Sequence, residues 1–96
     1  MDEITITRHH HGSSGEYHAA VAGSSAIGSL TWTEHDGVRA AERTLVPPEI
    51  GGRGVAGQLV EALVGDARAQ HFKIDPQCSY VAAAFKRHPD WADLHA

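Results

Sequence analysis

Apolar and polar residues alternate with a period of two through most of the first half of the chain. Ile4 and Ile6 are separated by threonines, and a similar alternation runs from Tyr17 to Val21. This spacing predicts strands that each bury one face. Glycine- and serine-rich segments separate the strands, and Asp36-Gly37 is a strong tight-turn signal. The pattern predicts an antiparallel meander with strands over residues 3–10, 17–22, 27–35 and 38–46.

The pattern becomes helical after Pro47 and Pro48, because proline cannot donate to a strand ladder. From Gly54 to about Gln70 the polar residues fall largely on one side of a helix. The apolar stripe on the other side consists of Val55, Leu59, Ala62, Leu63 and Ala67. The second half of the chain therefore opens with an amphipathic helix.

A short strand and a second helix complete the pattern. Residues 72–74 predict the strand, and residues 79–87 predict a helix that ends near His88 because Pro89 follows. We expect the tail from Asp90 to be loosely packed. The two tryptophans, Trp32 and Trp91, are expected to be core or packing anchors. Strands followed by helices within 96 residues predict one α+β domain over residues 1–96.

Composition and charge exclude several classes of protein. Hydrophobic residues make up 42% of the chain and charged residues 21%, which is typical of a folded globular domain. The formal net charge of -4 argues against a nucleic-acid partner, since such proteins bind by neutralising phosphates. No apolar run is long enough to cross a bilayer, and the start at Met1 is acidic where a secretory signal is basic. We expect a cytoplasmic protein with no membrane partner; a homo-oligomer stays open, because a sheet edge can pair with another chain.

The eight histidines raise the question of a metal site. The densest group is His9, His10 and His11, together with His18. Consecutive residues of a strand point to opposite faces, so three in a row cannot converge on one ion. No cysteine or carboxylate spacing completes a ligand set. We expect no metal.

Three glycines mark the connection between the fourth strand and the first helix, in the run Gly51-Gly52-Arg53-Gly54-Val55-Ala56. A helix begins with unpaired N–H groups and the positive end of its dipole, and glycines let a phosphate approach those groups closely. Arg53 adds a charge that can contact the phosphate. Glycines are also common in any tight strand-to-helix turn, so the turn alone leaves a purely structural role open.

Several motifs of the C-terminal half occur together in one family. They are the run from Thr44 to Glu49, the glycine turn, the run from Pro76 to Tyr80 and the pair His88-Pro89. Their order and spacing resemble those of the minimal GNAT-like N-acetyltransferase family, a group of short, single-domain acetyl-CoA-binding proteins with a Pro-x-Cys motif. Two positions depart from the family pattern. Gly51 stands where arginine or glutamine is usual, and Arg43 stands where histidine is usual.

The resemblance implies a mixed, mostly antiparallel sheet with two helices packed on it. Coenzyme A would enter a V-shaped gap between the strand that ends near Val46 and the strand near Ile74. By resemblance, the amides of residues 51–56 bind the pyrophosphate, and a backbone N–H of Leu45 or Val46 polarises the acetyl carbonyl. The glycine at position 51 predicts a weaker hold on the coenzyme. The cofactor-binding residues implied in this way are Leu45, Val46, Gly51, Gly52, Arg53, Gly54, Val55 and Ala56.

Candidate catalytic residues are Cys78 and Tyr80. Cys78 lies just ahead of the second helix, whose N-terminus would stabilise a thiolate, and the resemblance places it near the acetyl group. Its alternative role is that of a small buried residue. By resemblance Tyr80 donates a proton to the leaving thiolate; its alternative role is that of an aromatic anchor. Glu42 is a candidate base or a solvated strand residue, and His88 is first of all a helix stop.

The expected function is an acetyl-CoA-dependent N-acyltransferase that acts on an amine acceptor, which is a small amine, a peptide or a protein side chain. A non-catalytic coenzyme A-binding or protein-interaction module is the alternative. Loss of the usual arginine or glutamine at position 51 and the lack of an obvious base favour that alternative. The sequence does not identify the acceptor, because acceptor specificity depends on the shape of loops and clefts.

Overall fold

A computed structural model describes residues 3–96. Two short 3-10 helices, Pro48–Ile50 and Pro89–Leu94, accompany the regular elements. In chain order those elements are β1 (Ile4–His11), β2 (Ser14–Val21), β3 (Ile27–His35), β4 (Val38–Leu45), α1 (Val55–Gln70), β5 (Lys73–Pro76) and α2 (Ser79–Arg87).

The five strands form one sheet in the order of the sequence, β1-β2-β3-β4-β5. The first four strands are antiparallel, because short turns join them. β5 is parallel to β4, since α1 carries the chain back to the end of the sheet where β4 begins. The predicted mixed, mostly antiparallel sheet with two helices is confirmed.

One face of the sheet carries the core. Alternate residues of β2 and β3 point to that face and are buried, as the period of two predicts. α1 packs on β2 and β3, while α2 packs on β4 and β5. The opposite face is half-buried or exposed; most of its residues are small or polar, and the larger apolar exceptions are Ile27, Val38 and Leu45. The largest fully buried side chains are Trp32, Tyr17, Leu30, Ile50, Leu59, Leu63 and Ile74.

A β-bulge interrupts the pairing of β3 with β4. Trp32 pairs with Ala41, but Thr31 pairs with Arg43, so Glu42 is an extra residue on β4. An extra residue shifts the alternation of the side chains that follow it. Thr44 therefore shares the core-facing side of the sheet with its partner Leu30. Without the bulge it would face outward.

Two expectations about the C-terminal third are wrong. β5 begins one residue later than predicted and extends to Pro76, because the N–H of Phe72 donates to the carbonyl of Ala67 at the end of α1, at 3.2 Å, instead of pairing in the sheet. The tail is not loosely packed. Pro89 starts a 3-10 helix that buries Trp91 and Leu94, and the ring of Trp91 lies edge-on to Phe85 with 5.5 Å between centroids. Trp91 is thus a packing anchor, as expected.

A chain of polar side chains crosses the core near the C-terminal end of α1. Arg8 donates two hydrogen bonds to the carboxylate of Asp66, at 2.9 and 3.0 Å. The hydroxyl of Tyr17 donates to the same carboxylate at 2.8 Å and accepts from Arg39 at 2.9 Å. Arg39 also donates to Glu34 at 2.7 Å. Four strands and α1 are thus joined by one network of hydrogen bonds.

Two glycines give opposite predictions for substitution by alanine. A β-carbon at Gly28 would lie 2.9 Å from Cγ1 of Val55, so Gly28→Ala should push α1 off the sheet and destabilise the fold by about 1–3 kcal/mol. A β-carbon at Gly65, on α1, would meet nothing within 4 Å. Gly65→Ala should therefore stabilise the fold by up to about 1 kcal/mol. Urea unfolding of both variants measures the change in the free energy of unfolding. Equal changes in the two variants would contradict the close packing of α1 against Gly28.

Candidate functional site

A gap opens between β4 and β5 at one end of the sheet. The two strands pair from Val38 and Lys73 as far as Ala41 and Pro76. Beyond that point the N–H of Cys78 donates to the carbonyl of Ala41 at 2.8 Å, and the chain turns into α2. β4 continues to Leu45 with no further pairing to β5. The gap lies between the two strands that the family resemblance indicates.

The connection from β4 to α1 is fixed by a buried anchor. Its 3-10 helix is closed by hydrogen bonds from Ile50 N–H to Pro47 O and from Gly51 N–H to Pro48 O, each 3.1 Å long. The side chain of Ile50 is fully buried. Gly52 and Gly54 have φ angles of 73° and 77°, in the left-handed region that favours glycine. These two residues turn the chain back so that α1 starts beside the gap.

The first turn of α1 presents backbone N–H groups to this gap. Gly54 is the N-cap, and no side chain among residues 3–96 caps the helix. Within the helix the first bonded amide is that of Gln58, which donates to Gly54 O at 3.1 Å. The N–H groups of Val55, Ala56 and Gly57 precede it and have no acceptor within the helix. The positive end of the helix dipole lies at the same point.

A groove of about 310 Å³ lies between the end of β4, the first turn of α1 and the start of α2. Of the predicted cofactor-binding residues, Leu45 and Arg53 do not line it: Leu45 is 49% exposed and Arg53 is also exposed. The sequence prediction omitted Gly57, although the N–H groups of the whole first helical turn have no acceptor within the helix. The groove is lined by Val46, Gly51, Gly52, Gly54, Val55, Ala56, Gly57 and Tyr80.

A larger pocket, of about 480 Å³, lies at the other end of α1. Arg68 and Lys73 line it, but both already bind Asp93, Arg68 through the carboxylate and Lys73 through the backbone carbonyl. The C-terminus of a helix carries the negative end of the dipole, which disfavours an anion. The smaller groove is therefore the better candidate for a phosphate-bearing ligand.

Cys78 is the N-cap of α2 and is half-buried at the edge of the core. Its Sγ lies 3.4 Å from Oγ1 of Thr44, on the opposite wall of the gap. Burial raises the pKa of the thiol, but the Thr44 hydroxyl and the backbone amides of Val81, Tyr80 and Thr44 outweigh burial, so that the pKa lies below the usual 9.0. This environment favours a thiolate.

Tyr80 lies two residues further along, in the first turn of α2. Its side chain is 37% exposed and lines the groove. Its hydroxyl would lie 3.8 Å from a β-carbon built on Gly57, so the phenol approaches the first turn of α1 closely. The ring therefore lies at the edge of the groove against the first turn of α1, and its role as proton donor or aromatic anchor stays a prediction.

Two other candidates lie outside the groove. Glu42 is exposed on the outer face of the sheet and accepts a hydrogen bond from Thr33 at 2.8 Å, which makes it a solvated strand residue. His88 is the C-cap of α2, and its ring stacks on Trp91 with 4.0 Å between centroids. The helix-stop interpretation of His88 is confirmed.

The histidines of β1 diverge as expected for a strand. His9 packs against His18 on the outer face, with 4.0 Å between ring centroids and 36° between ring planes, while His10 lies edge-on to Tyr17 and Trp32 on the core side. Within residues 3–96 no group of three or more His, Cys, Asp or Glu side chains has an arrangement that could hold a metal ion. In the same part of the chain, no helix has the length and apolar character needed to span a membrane.

Comparisons with known proteins agree with this geometry. The family model described as GCN5-related N-acetyl-transferase matches residues 16–94. Among solved structures, the chain is similar to a GNAT family acetyltransferase from Elizabethkingia anophelis with acetyl-CoA bound, with a TM-score of 0.65 and 17% sequence identity. The similarity covers 94% of this chain and 76% of that chain, and at this identity it establishes the fold. Among curated proteins, none matches the chain.

Proposed function

Since the chain belongs to the GCN5-related N-acetyltransferase family, we propose that it transfers an acetyl group from acetyl-CoA to an amine acceptor. The observation that carries this proposal is the groove itself. It offers two features: unpaired amides in the first turn of α1, and the phenol of Tyr80, with the half-buried thiol of Cys78 two residues before it in the chain and outside the groove lining. A coenzyme with phosphates and a reactive thioester needs both features.

The glycine turn and the first turn of α1 would hold the pyrophosphate of the coenzyme. The N–H groups of Val55, Ala56 and Gly57 supply donors at the positive end of the helix dipole. No side chain at Gly52 or Gly54 stands in the way of a phosphate. Arg53 would add a charge-assisted contact, although its side chain does not line the groove. The acetyl carbonyl would then lie toward the end of β4, where a backbone N–H of Leu45 or Val46 polarises it.

Cys78 would accept the acetyl group in the first of two steps. Its thiolate attacks the carbonyl carbon of acetyl-CoA, the new S–C bond forms, and the bond between carbon and coenzyme sulfur breaks. The hydroxyl of Tyr80 gives its proton to the leaving coenzyme thiolate. In the second step the neutral amine attacks the acetyl group on Cys78. The C–N bond forms, the Cys78 thiolate leaves, and the proton of the amine restores Tyr80.

A non-catalytic coenzyme A-binding module is the second candidate. It is favoured by the lining of the groove, which includes Tyr80 as its one titratable side chain among the described residues and no carboxylate or histidine. Such a module would bind acetyl-CoA and leave the thioester intact. The two functions differ in whether acetyl leaves the coenzyme.

Incubation with isotopically labelled acetyl-CoA distinguishes these functions. Without acceptor, mass spectrometry should find label on Cys78, and with a panel of primary amines the label should pass to the amine. Cys78→Ser should carry no label, and Tyr80→Phe should bind acetyl-CoA normally but release coenzyme A at least about tenfold more slowly. Label retained by Cys78→Ser would exclude the carrier role. Binding of acetyl-CoA without release of its acetyl group to any amine would support the non-catalytic module instead.

A further inference from the structure

The β-bulge on β4 decides which residue faces the gap. Glu42 and Arg43 both lie on the exposed side, and the extra residue returns Thr44 to the core-facing side. Thr44 stands after the point where β4 loses its pairing with β5. Its side chain therefore stands on the core-facing side of the sheet beside the gap, where α2 begins. A bulge beside a candidate site often re-aims a side chain in this way.

Thr44 meets Cys78 across the gap. The two residues are 34 positions apart, and the distance between Oγ1 and Sγ is 3.4 Å. Cys78 itself is held in place by its N–H bond to Ala41 O, which ties the start of α2 to β4. The contact therefore depends on two fixed backbone segments and is not a chance approach of flexible side chains. A hydroxyl is both donor and acceptor, so it can serve the thiol and the thiolate in turn.

We propose that Thr44 is a positioning residue that holds the sulfur of Cys78 at the gap beyond the last pairing of β4 with β5, where the acetyl group would lie, and stabilises it as a thiolate. This inference rests on the proposed function, since it assigns a role within the same site. When Cys78 is a thiolate, the Thr44 hydroxyl donates a hydrogen bond to it. When the acetyl group occupies the sulfur, that hydrogen bond weakens, and it forms again as the amine displaces the thiolate. Thr44 thereby stabilises the nucleophile of the first step and the leaving group of the second.

Alkylation by iodoacetamide tests this role without coenzyme or acceptor. Cys78 is the one cysteine of the chain, so the alkylation rate reports on this thiol alone. Thr44→Val removes the hydroxyl and keeps the shape of the side chain. We expect it to slow alkylation at pH 7 about tenfold, the usual effect of one hydrogen bond to a charged group, and to move the midpoint of the pH–rate profile upward. Thr44→Ser keeps the hydroxyl and should therefore show the wild-type pH–rate profile.

A matched control lies on the neighbouring strand. Thr31 is on the opposite face of the sheet, where its hydroxyl contacts the carbonyl of Arg43 at 3.5 Å. Thr31→Val makes the same chemical change and should leave the alkylation profile unchanged. Thr44→Ala provides a second variant without the hydroxyl in case Thr44→Val does not fold, which circular dichroism will show. In acetyl transfer, the Thr44 variants should lower kcat and leave the KM for acetyl-CoA unchanged.

The alkylation and transfer assays separate the two proposals. An upward shift in Thr44→Val, with no acetyl group transferred from acetyl-CoA to Cys78 or to any amine, would support the Thr44–Cys78 contact and reject the acetyltransferase function. Acetylated wild type together with an unshifted profile in both Thr44→Val and Thr44→Ala would reject the role of Thr44 alone. A shift of equal size in Thr31→Val would also reject it, because the effect would then come from the sheet and not from the hydroxyl.

Discussion

Replacement of Asp66 by asparagine is expected to lower the free energy of unfolding by about 2–3 kcal/mol at pH 7. The carboxylate accepts both hydrogen bonds of Arg8 and the hydroxyl of the fully buried Tyr17. An asparagine of the same shape turns an N–H₂ group toward one of these donors, which then has no acceptor. The cost stays below that of a fully buried pair, because the side chain of Arg8 is 45% exposed and water can solvate it.

The same variant has a defined pH dependence. Burial raises the pKa of Asp66, but the hydrogen bonds from Arg8 and Tyr17 outweigh it and hold the pKa below the usual 3.8. The unfolded chain therefore takes up a proton first as the pH falls. The stability that the carboxylate contributes is present above pH 3.8 and is lost below it. The difference in unfolding free energy between wild type and Asp66→Asn should shrink in that range.

Urea unfolding at pH 7, 5 and about 3.5 measures both effects. Asp93→Asn is the matched control, because Asp93 pairs with Arg68 at 3.1 Å on the surface and its loss should cost less than about 1 kcal/mol. Equal losses for the two variants would show that the Arg8–Asp66–Tyr17 network does not hold the sheet to α1. A deficit of Asp66→Asn that persists unchanged at low pH would show that the charge is not involved.

The regular elements were predictable because their signals are local. The period of two between Ile27 and His35 marks β3, the stripe from Val55 to Ala67 marks α1, and Pro89 ends α2 at the predicted residue. The glycine turn was also identifiable, since positive φ angles at Gly52 and Gly54 need glycine. The remaining candidates, Cys78 and Tyr80, came from the family motifs in the C-terminal half of the chain.

What the sequence did not predict depends on contacts between distant residues. Asp66 interrupts the apolar face of α1, but its partner Arg8 is 58 positions away and periodicity cannot find it. The bulge at Glu42 leaves no local signal, and without it the alternation of β4 places Thr44 on the wrong face. Trp91 is buried because a 3-10 helix after Pro89 folds back onto Phe85, a path that a proline alone does not specify.

The second large effect is expected for Ala56→Glu, which should weaken acetyl-CoA binding about thirtyfold more than Ala56→Gln does. Ala56 lies in the first turn of α1 and lines the groove. A carboxylate about 5 Å from a phosphate charge repels it by about 3 kcal/mol before screening by salt, or about 2 kcal/mol with it. The fold should survive, because an acidic residue in the first turn of a helix is favourable.

The two variants at position 56 are matched in size and differ in charge. Any steric loss of binding is common to both, so the ratio of their Kd values isolates the repulsion between carboxylate and phosphate. The ratio should fall toward unity as the salt concentration rises. Equal affinities of Ala56→Glu and Ala56→Gln at low salt would show that no phosphate lies against the first turn of α1.

Calorimetric titration of the folded wild-type protein with acetyl-CoA and with free coenzyme A tests the central claim most directly. We expect saturable binding of one acetyl-CoA per chain, tighter than that of free coenzyme A, because the acetyl group contacts the end of β4 and Cys78. Absence of any heat or thermal stabilisation with either ligand, from protein shown to be folded, would contradict the claim that this groove is a coenzyme site.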